Sequence, residues 1–434
     1  MPLKNKLIDL VDKIRGKNHG SPFDFPEKKE VNKPSSKPAA SSTDKVFQAI
    51  PTEKLETDAT KKNTNGQTII SNDEPPATAT LNLVELLKNQ LLENASDLHI
   101  NTNLEPFYRN NRGHIQFLSD KPPVSDKDIR TVLLASIGEN KFTNFLQTNE
   151  FDSAQQFGSV GRFRINISRD INGIAAVFRK IPFELPTIES IDLPEKIVNL
   201  ICNAKSGLVL VTGQNETGKT TTVTALVNHI NETRRANILM LEDPIEFIHP
   251  RKQSAISQRE IGKHSNSYAE SMKHALRQDV DVVVVGEMRD LETISAAVGL
   301  AEAGYLVLAT LHTRNALESV ERITDVYPPE KSQLVRVQLS LMLRCVLSQK
   351  LLPTKDNNGR IICREIMIPN DGIRNIIRQG KTEMLYSALE TSQSTGNILF
   401  DTYLKALLEQ DLITPETVQL EAHHPDDLGI KISS

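Results

Sequence analysis

The chain has 434 residues, 38% of them hydrophobic, with 51 Lys and Arg against 55 Asp and Glu and a net charge of −4. This length allows two or three domains of roughly 100–200 residues each, and the charge balance gives no reason to expect nucleic acid as a partner. The three scattered cysteines argue against a disulfide framework and against a four-cysteine zinc site. No apolar run reaches the ~18–20 residues that span a bilayer, and no secretory signal opens the chain, so we expect a soluble cytoplasmic protein.

Residues 1–80 are predicted to be an extension outside any packed core. Leu3, Leu7 and Ile14 lie at helical spacing with basic residues between them. Residues 3–16 are therefore either a short amphipathic helix that contacts an acidic surface or a solvated tail. Pro, Ser, Thr, Asn and Lys dominate residues 33–80, and this composition predicts disorder because it offers too few large apolar side chains to bury.

A small α+β domain is predicted over residues 81–182. Leu83, Leu87 and Leu91 form a helical stripe, and residues 97–100 alternate as in a strand. Residues 162–181 predict two strands joined by a turn at Asp170–Gly173. Residues 183–192 then link this domain to the next one.

The second predicted domain, residues 193–370, contains four nearly continuous apolar runs. These runs, at residues 208–212, 236–242, 281–287 and 305–312, are separated by helix-like sequence. Such a pattern is typical of a parallel sheet covered on both faces, so the predicted fold class is α/β. The periodicity from about residue 325 to the C-terminus is mostly helical, and residues 371–434 are predicted to form a C-terminal helical region.

The strongest motif is a phosphate-binding loop, Gly213-Gln-Asn-Glu-Thr-Gly218-Lys219-Thr220. It follows a predicted strand and opens a predicted helix, which is the context that G-x-x-x-x-G-K-[ST] requires. Lys219 is expected to reach the β- and γ-phosphates, and the Thr220 hydroxyl to ligate Mg²⁺. The predicted nucleotide-binding residues are Gly213, Thr217, Gly218, Lys219, Thr220 and Thr221.

One residue of this loop, Glu216, is unusual. Its carboxylate repels phosphate unless it points outward or a cation neutralises it. Its position also suggests a backbone conformation that glycine adopts more easily. We expect Glu216 to affect fast hydrolysis more than nucleotide binding.

Polar side chains end three of the predicted strands. Glu287 ends one run and Glu242 another, and two acidic strand ends beside a phosphate loop favour a catalytic site over solvated surface acids. His312 ends a third run, where a γ-phosphate sensor is favoured over a structural histidine. The sequence therefore predicts a site that uses ATP and Mg²⁺.

Together these motifs resemble the type II/type IV secretion ATPase superfamily, and within it the PilT/PilU-type motors of type IV pilus retraction. The resemblance runs from about Leu81 to the C-terminus. Beside the phosphate loop it is carried by ASDLHI (95–100), RFRIN (162–166), MLEDPIEFIH (240–249), QREIG (258–262), ALRQDVDVVVVGEMRD (275–290), TLHT (310–313), ERITDVYP (321–328), LSQKLLPT (347–354) and GIRNIIRQGK (372–381).

The resemblance implies a hexamer in which an N-terminal PAS-like domain is stacked on a RecA-like motor domain. In such motors Glu242 would polarise the attacking water, Glu287 would help hold Mg²⁺ and His312 would sense the γ-phosphate. Arg164 and Arg179 occupy the strand positions of arginines that complete the site. The alternative for each arginine is an ordinary exposed strand residue.

The resemblance also implies partners and a location. The expected partners are other copies of the chain, an inner-membrane pilus platform protein and, as an open question, a paralogous retraction ATPase, with no nucleic acid expected. The expected place is the cytoplasmic face of the inner membrane, at the base of the pilus machine. The helix GIRNIIRQ is expected to bury Ile373, Ile376 and Ile377 and to leave Arg374 and Arg378 outside.

Departures from the family pattern keep a second hypothesis open. Glu216 stands where the family has Gly, Asn172 where it has Arg, Tyr305 where it has His, and His264 where it has Asp. They allow a nucleotide-binding, weakly hydrolysing accessory subunit that couples another pilus or secretion motor. A nucleic-acid translocase is a third reading, which the acidic pI disfavours.

Overall fold

The computed structural model describes residues 81–93, 95–110, 114–182 and 184–428. The predictions of a helix over residues 3–16 and of disorder through residue 80 lie outside these ranges. None of the helices in the described ranges is long and apolar enough to cross a membrane.

The first part of the described chain is built around an antiparallel sheet. The elements of residues 81–182 are α1 (Leu83–Leu92), β1 (Asp97–Asn101), β2 (Phe107–Arg109), β3 (Ile115–Phe117), α2 (Asp126–Ile137), α3 (Glu139–Thr148), β4 (Glu150–Phe157), β5 (Gly161–Asp170) and β6 (Gly173–Ile181). The six strands lie in the order β3-β2-β1-β6-β5-β4. The predicted helix, the strand near residue 97 and the pair of strands joined at Asp170–Gly173 are all confirmed.

Alternating side chains pack this sheet against its helices. Phe163, Ile165 and Ile167 are fully buried on one face of β5, and Phe178 joins them from β6. The stripe that includes Leu87 closes the same core from α1. The opposite face of β5 and β6 therefore presents its polar residues, including arginines, away from this core.

The second sheet has seven strands among the described residues. They are β7 (Gly207–Thr212), β8 (Asn237–Glu242), β9 (Ala255–Glu260), β10 (Val282–Val285), β11 (Leu306–Leu311), β12 (Leu343–Pro353) and β13 (Arg360–Met367). Their order in the sheet is β13-β12-β7-β11-β10-β8-β9. The helices around it are α4 (Glu195–Cys202), α5 (Lys219–Thr233), α6 (Tyr268–Ala275), α7 (Leu291–Glu302), α8 (Ala316–Asp325), α9 (Pro329–Met342), α10 (Asp371–Gln379), α11 (Leu385–Thr391), α12 (Phe400–Glu409) and α13 (Pro415–Glu421).

The central strands of this sheet are buried on both faces. Every residue of β7, β10 and β11 is buried, because helices cover both sides of the sheet. The strands from β12 through β9 run parallel, and only β13 is antiparallel, paired with β12. The carboxyl ends of the parallel strands consequently meet at one edge, and the α/β prediction is confirmed.

Two details of the C-terminal part differ from the prediction. Residues 343–367 are mainly the strands β12 and β13 and not helix. Arg374 of α10 is not outside: its guanidinium donates to the carbonyls of Ser340, Leu341 and Leu343 at the end of α9. Ile373 and Ile377 are fully buried as expected, whereas Ile376 is only half-buried.

Candidate active site

The phosphate loop turns tightly between β7 and α5 because two glycines permit it. Gly213 has φ +149°, and a Cβ there would lie 2.4 Å from the Gln349 carbonyl oxygen. Gly218 has φ +85°, in the left-handed region that glycine tolerates, and it directly precedes α5. The loop geometry therefore depends on both glycines of the motif.

The first turn of α5 presents its amide groups to the loop. No side chain caps this helix end, and Thr220 and Thr221 are exposed. The Lys219 ammonium group donates to the carbonyl oxygens of Gly213 (2.8 Å) and Gln214 (2.7 Å), which places it inside the loop. Uncapped N–H groups and a lysine at one point form a cradle for phosphate.

Gln349 of β12 fixes the loop from below. Its Nε2 donates to the Thr217 carbonyl oxygen at 2.9 Å, and its Oε1 accepts from the Thr222 hydroxyl at 3.0 Å. Gln349 is fully buried, so both bonds are shielded from water. The sequence did not single out this residue, although it lies in the LSQKLLPT segment.

Glu216 occupies the left-handed backbone region with φ +62°, as its sequence position suggested. Holding a residue with a Cβ in this region costs on the order of 1 kcal/mol. Its side chain leans to the six-stranded sheet, where Oε1 lies 3.0 Å from Arg179 Nη1. A cation therefore neutralises the carboxylate beside the loop.

Glu287 and His312 meet at the carboxyl edge of the seven-stranded sheet. His312 Nε2 lies 2.8 Å from Glu287 Oε1, and Arg289 Nε donates to the same oxygen. Burial raises the pKa of Glu287, but the Arg289 hydrogen bond and the nearby His312 outweigh it, so the net pKa lies below its ordinary value. Glu287 is thus held ionised on the side of the sheet where Lys219 stands.

Glu242 ends β8 next to this pair and is deeply buried, with 8% exposure. Gln258 of β9 donates to Glu242 Oε1 at 2.9 Å and to the Phe247 carbonyl oxygen at 2.8 Å. Burial raises the pKa of Glu242 to about 7, against the lowering effect of the Gln258 hydrogen bond. Gln258 orients this carboxylate, and sequence reasoning missed it because β9 was not predicted.

Arg164 and Arg179 lie directly opposite each other on β5 and β6, so they share one face of the six-stranded sheet. Their guanidinium groups nevertheless contact different segments of the chain. Arg179 reaches Glu216 of the phosphate loop, whereas Arg164 lies 3.3 Å from Glu246 Oε1, beyond β8. Arg164 is also paired with Asp152 at 2.6 Å. Among the predicted arginines, only Arg179 contacts the loop.

A third arginine, which the sequence analysis did not select, joins the same two parts of the chain. Arg162 Nη2 donates to the Ile245 carbonyl oxygen at 2.8 Å and its Nε to the Glu246 carbonyl oxygen at 3.1 Å. It lies two residues before Arg164 in β5, and so on the same face. The RFRIN segment is the signal that could have identified it.

The donor set fits a triphosphate with a small divalent cation. Thr220 offers a hydroxyl and Glu287 a carboxylate, which are the oxygen ligands that Mg²⁺ shares with phosphates. In the described part of the chain, no group of three or more His, Cys, Asp or Glu is placed to hold a metal by itself. A cation here would therefore need phosphate oxygens to complete its coordination.

The residues of this site lie within a segment that matches a known protein family. Residues 162–416 match the family described as type II/IV secretion system protein. The chain belongs to this family. The match covers β5, β6 and nearly all of the seven-stranded unit, so the sequence resemblance is confirmed.

Two relatives and one solved structure that resemble this secretion ATPase carry names from twitching motility or pilus retraction. It is 41% identical over 308 residues to the "Twitching motility protein" of Neisseria gonorrhoeae, covering 71% of this chain and 82% of the relative. It is 37% identical over 347 residues to the "Type IV pilus retractation ATPase PilT" of Pseudomonas aeruginosa, covering 80% and 100%. The crystal structure titled pilus retraction motor PilT and bound ADP superposes with TM-score 0.74 at 36% identity, covering 80% and 99%. These matches confirm the predicted ATPase activity and the predicted fold class.

Proposed function

We propose that this secretion ATPase is a hexameric, ATP-hydrolysing motor that powers type IV pilus retraction. One observation carries the proposal: an intact phosphate loop and two strand-end glutamates share one sheet edge, and arginines of a second sheet reach the loop and the segment after β8. The relatives named for twitching motility and pilus retraction support retraction as the movement that the motor drives. Such an arrangement can convert phosphate cleavage into movement between sheets.

We assign the chemistry to residues of the described site. The loop from Gly213 to Thr221 holds the phosphates, with Lys219 as the cationic contact. Glu242 accepts a proton from the attacking water, and its burial makes it a stronger base than a solvated carboxylate. We assign His312, which lies 2.8 Å from Glu287, as the sensor of the γ-phosphate.

Thr220 and Glu287 would hold Mg²⁺ together with the phosphates. Bound there, the ion would neutralise charge that develops on the phosphoryl oxygens. Arg179 brings positive charge to the loop, and Arg164 is paired with Glu246 on the segment after β8.

Movement is proposed to occur between residues 81–182 and residues 193–370, across the linker 183–192. Arg162, Arg164 and Arg179 tie the first segment to the second through a few hydrogen bonds and ion pairs. The Arg179 bond ends at the loop, so a change in phosphate charge acts on it directly, whereas the Arg162 and Arg164 bonds end on the segment just after Glu242. The further assignments are a homohexamer, an inner-membrane platform protein as partner, and a cytoplasmic position at the pilus base.

The pH dependence of hydrolysis tests the role of Glu242. An acid whose pKa is raised to about 7 is ionised above that pH, so kcat should rise with pH through about 7. Gln258→Leu removes the hydrogen bond that favours the ionised form, and the midpoint should move to higher pH. Steady-state ATPase rates of both proteins across this range check the expectation. A midpoint that is the same in Gln258→Leu contradicts the assignment.

Deletion of the gene in a piliated host tests the motor itself. Loss of retraction should leave excess surface pili and abolish twitching, and the wild-type gene supplied in trans should restore both. Loss of pili would instead indicate an assembly motor. A purified hexamer that binds ATP without measurable turnover would favour the accessory, weakly hydrolysing subunit, an alternative supported by the Glu216–Arg179 ion pair.

A further inference from the structure

An ion pair joins the phosphate loop to the six-stranded sheet. Glu216 Oε1 lies 3.0 Å from Arg179 Nη1, with 60% and 52% of the two side chains exposed. Because both groups remain in contact with water, either can change partner at small cost. The pair therefore suits a contact that is exchanged, and not a permanent cross-link.

A buried aspartate on the neighbouring strand holds the arginine of this pair. Arg179 Nε donates to Asp97 Oδ1 at 2.7 Å, and the Asp97 side chain is only 5% exposed. Asp97 and Arg179 are direct partners in the β1–β6 register, and the Ser96 hydroxyl donates to Asp97 Oδ2 at 2.8 Å. The base of the guanidinium is thus anchored, and its outer Nη1 is presented to the loop.

The glutamate of this pair is held by the backbone of the loop. Its left-handed conformation, φ +62°, sets the direction in which the side chain leaves the turn. Two residues further on, Gly218 begins the α5 N-terminus with its uncapped amides. The Glu216 carboxylate therefore gives Arg179 an anionic partner at the rim of the phosphate cradle.

We infer that Glu216 is a positioning residue that competes with nucleotide phosphate for Arg179. The inference rests on the proposed function of the same site. An arginine binds a phosphate oxygen at least as well as a carboxylate, so a polyphosphate arriving at the loop takes Arg179 over. Before nucleotide binds, Glu216 holds the Arg179 guanidinium at the loop. Breaking this ion pair costs free energy, and that cost lowers the affinity for nucleotide.

The inference predicts how nucleotide affinity responds to Glu216→Gln. This change keeps the size of the side chain, removes the charge and leaves Arg179 on Asp97. The Kd for a fluorescent ADP analogue, measured by anisotropy on the purified full chain, should fall roughly 2- to 5-fold, the range of an exposed ion pair. Glu390→Gln removes an equal charge from an exposed helical position and should leave the Kd unchanged.

A second variant separates competition for Arg179 from simple repulsion of phosphate. In an Arg179→Gln background the Glu216 carboxylate has lost its partner at the rim, and its exposure lets it turn to solvent. Glu216→Gln should then change the Kd by less than about 2-fold, since an exposed charge acts weakly through water. Thermal unfolding of each variant without nucleotide verifies that it is folded.

The outcomes distinguish this inference from the function on which it rests. Tighter binding in Glu216→Gln that disappears in the Arg179→Gln background supports it. An unchanged Kd in Glu216→Gln, or a gain that persists without Arg179, overturns it while the motor assignment stands. Failure of the wild-type chain to bind the ADP analogue overturns the motor assignment and this inference together.

Discussion

Glu242→Gln should lower kcat for ATP hydrolysis by about 10²- to 10³-fold, the usual effect of removing a positioned general base. The substitution keeps the shape of the side chain and an oxygen that can accept the Gln258 hydrogen bond. It removes the negative charge that polarises the water. Because Glu242 forms no hydrogen bond or ion pair with the phosphate loop in the described part of the chain, the Kd for nucleotide should change little. Steady-state turnover and ADP-analogue binding of the purified variant measure both quantities.

Glu365→Gln provides a matched control for this loss. Glu365 is also buried, with 3% exposure, and burial raises its pKa to about 7, as for Glu242. Its Oε1 accepts from the Ala316 amide at 2.7 Å, at the start of α8. This variant should keep kcat within about 2-fold, because the proposed chemistry assigns Glu365 no part in activating water. Equal losses in the two variants would mean that Glu242 acts through stability alone.

Lys219→Ala should weaken nucleotide binding by about 100-fold, as expected when a charge-assisted contact to phosphate is lost. The Lys219 ammonium group already lies between the Gly213 and Gln214 carbonyl oxygens, so it is placed to meet phosphate without rearrangement of the loop. Hydrolysis should fall with binding. Isothermal titration with ADP, with and without Mg²⁺, measures the loss.

Lys405→Ala is the control for the charge. Lys405 is exposed on α12, and removing it should alter neither binding nor turnover. The Lys219→Ala chain should unfold at a temperature close to that of the wild type, because its two hydrogen bonds lie at a partly solvated loop. Retention of ADP affinity within about 3-fold would contradict the assignment of Gly213–Thr221 as the phosphate cradle.

The site divides into residues that sequence reasoning found and residues that it missed. The phosphate loop was recognisable because its glycines, lysine and threonine are contiguous and lie between a strand and a helix. Gln349 was missed because its partner Thr217 lies 132 residues away, and no local pattern marks that contact. Gln258 was missed because the pattern around residues 255–260 mixes exposed and buried side chains at the sheet edge.

The C-terminal strands were missed for a related reason. Leu343–Pro353 interrupts its apolar residues with Arg344, Gln349 and Lys350, so the run does not read as a buried strand. Its identity as β12 comes from pairing with β7, and β13 follows by pairing with β12. Pairing between distant strands is a property of the folded chain, which local propensity reports only weakly.

The sequence by itself determined the α/β class, the phosphate loop, the strand-end acids and the family, because each depends on neighbouring residues or on a periodic pattern. Only the tertiary structure decided that Arg179 reaches the loop while Arg164, its direct neighbour across the strands, reaches Glu246. The physical reason is that an ion pair depends on which surfaces the packed sheets bring within a few ångströms. That arrangement depends on how the hydrophobic cores of the two sheets pack in the folded chain. No short stretch of the chain encodes it.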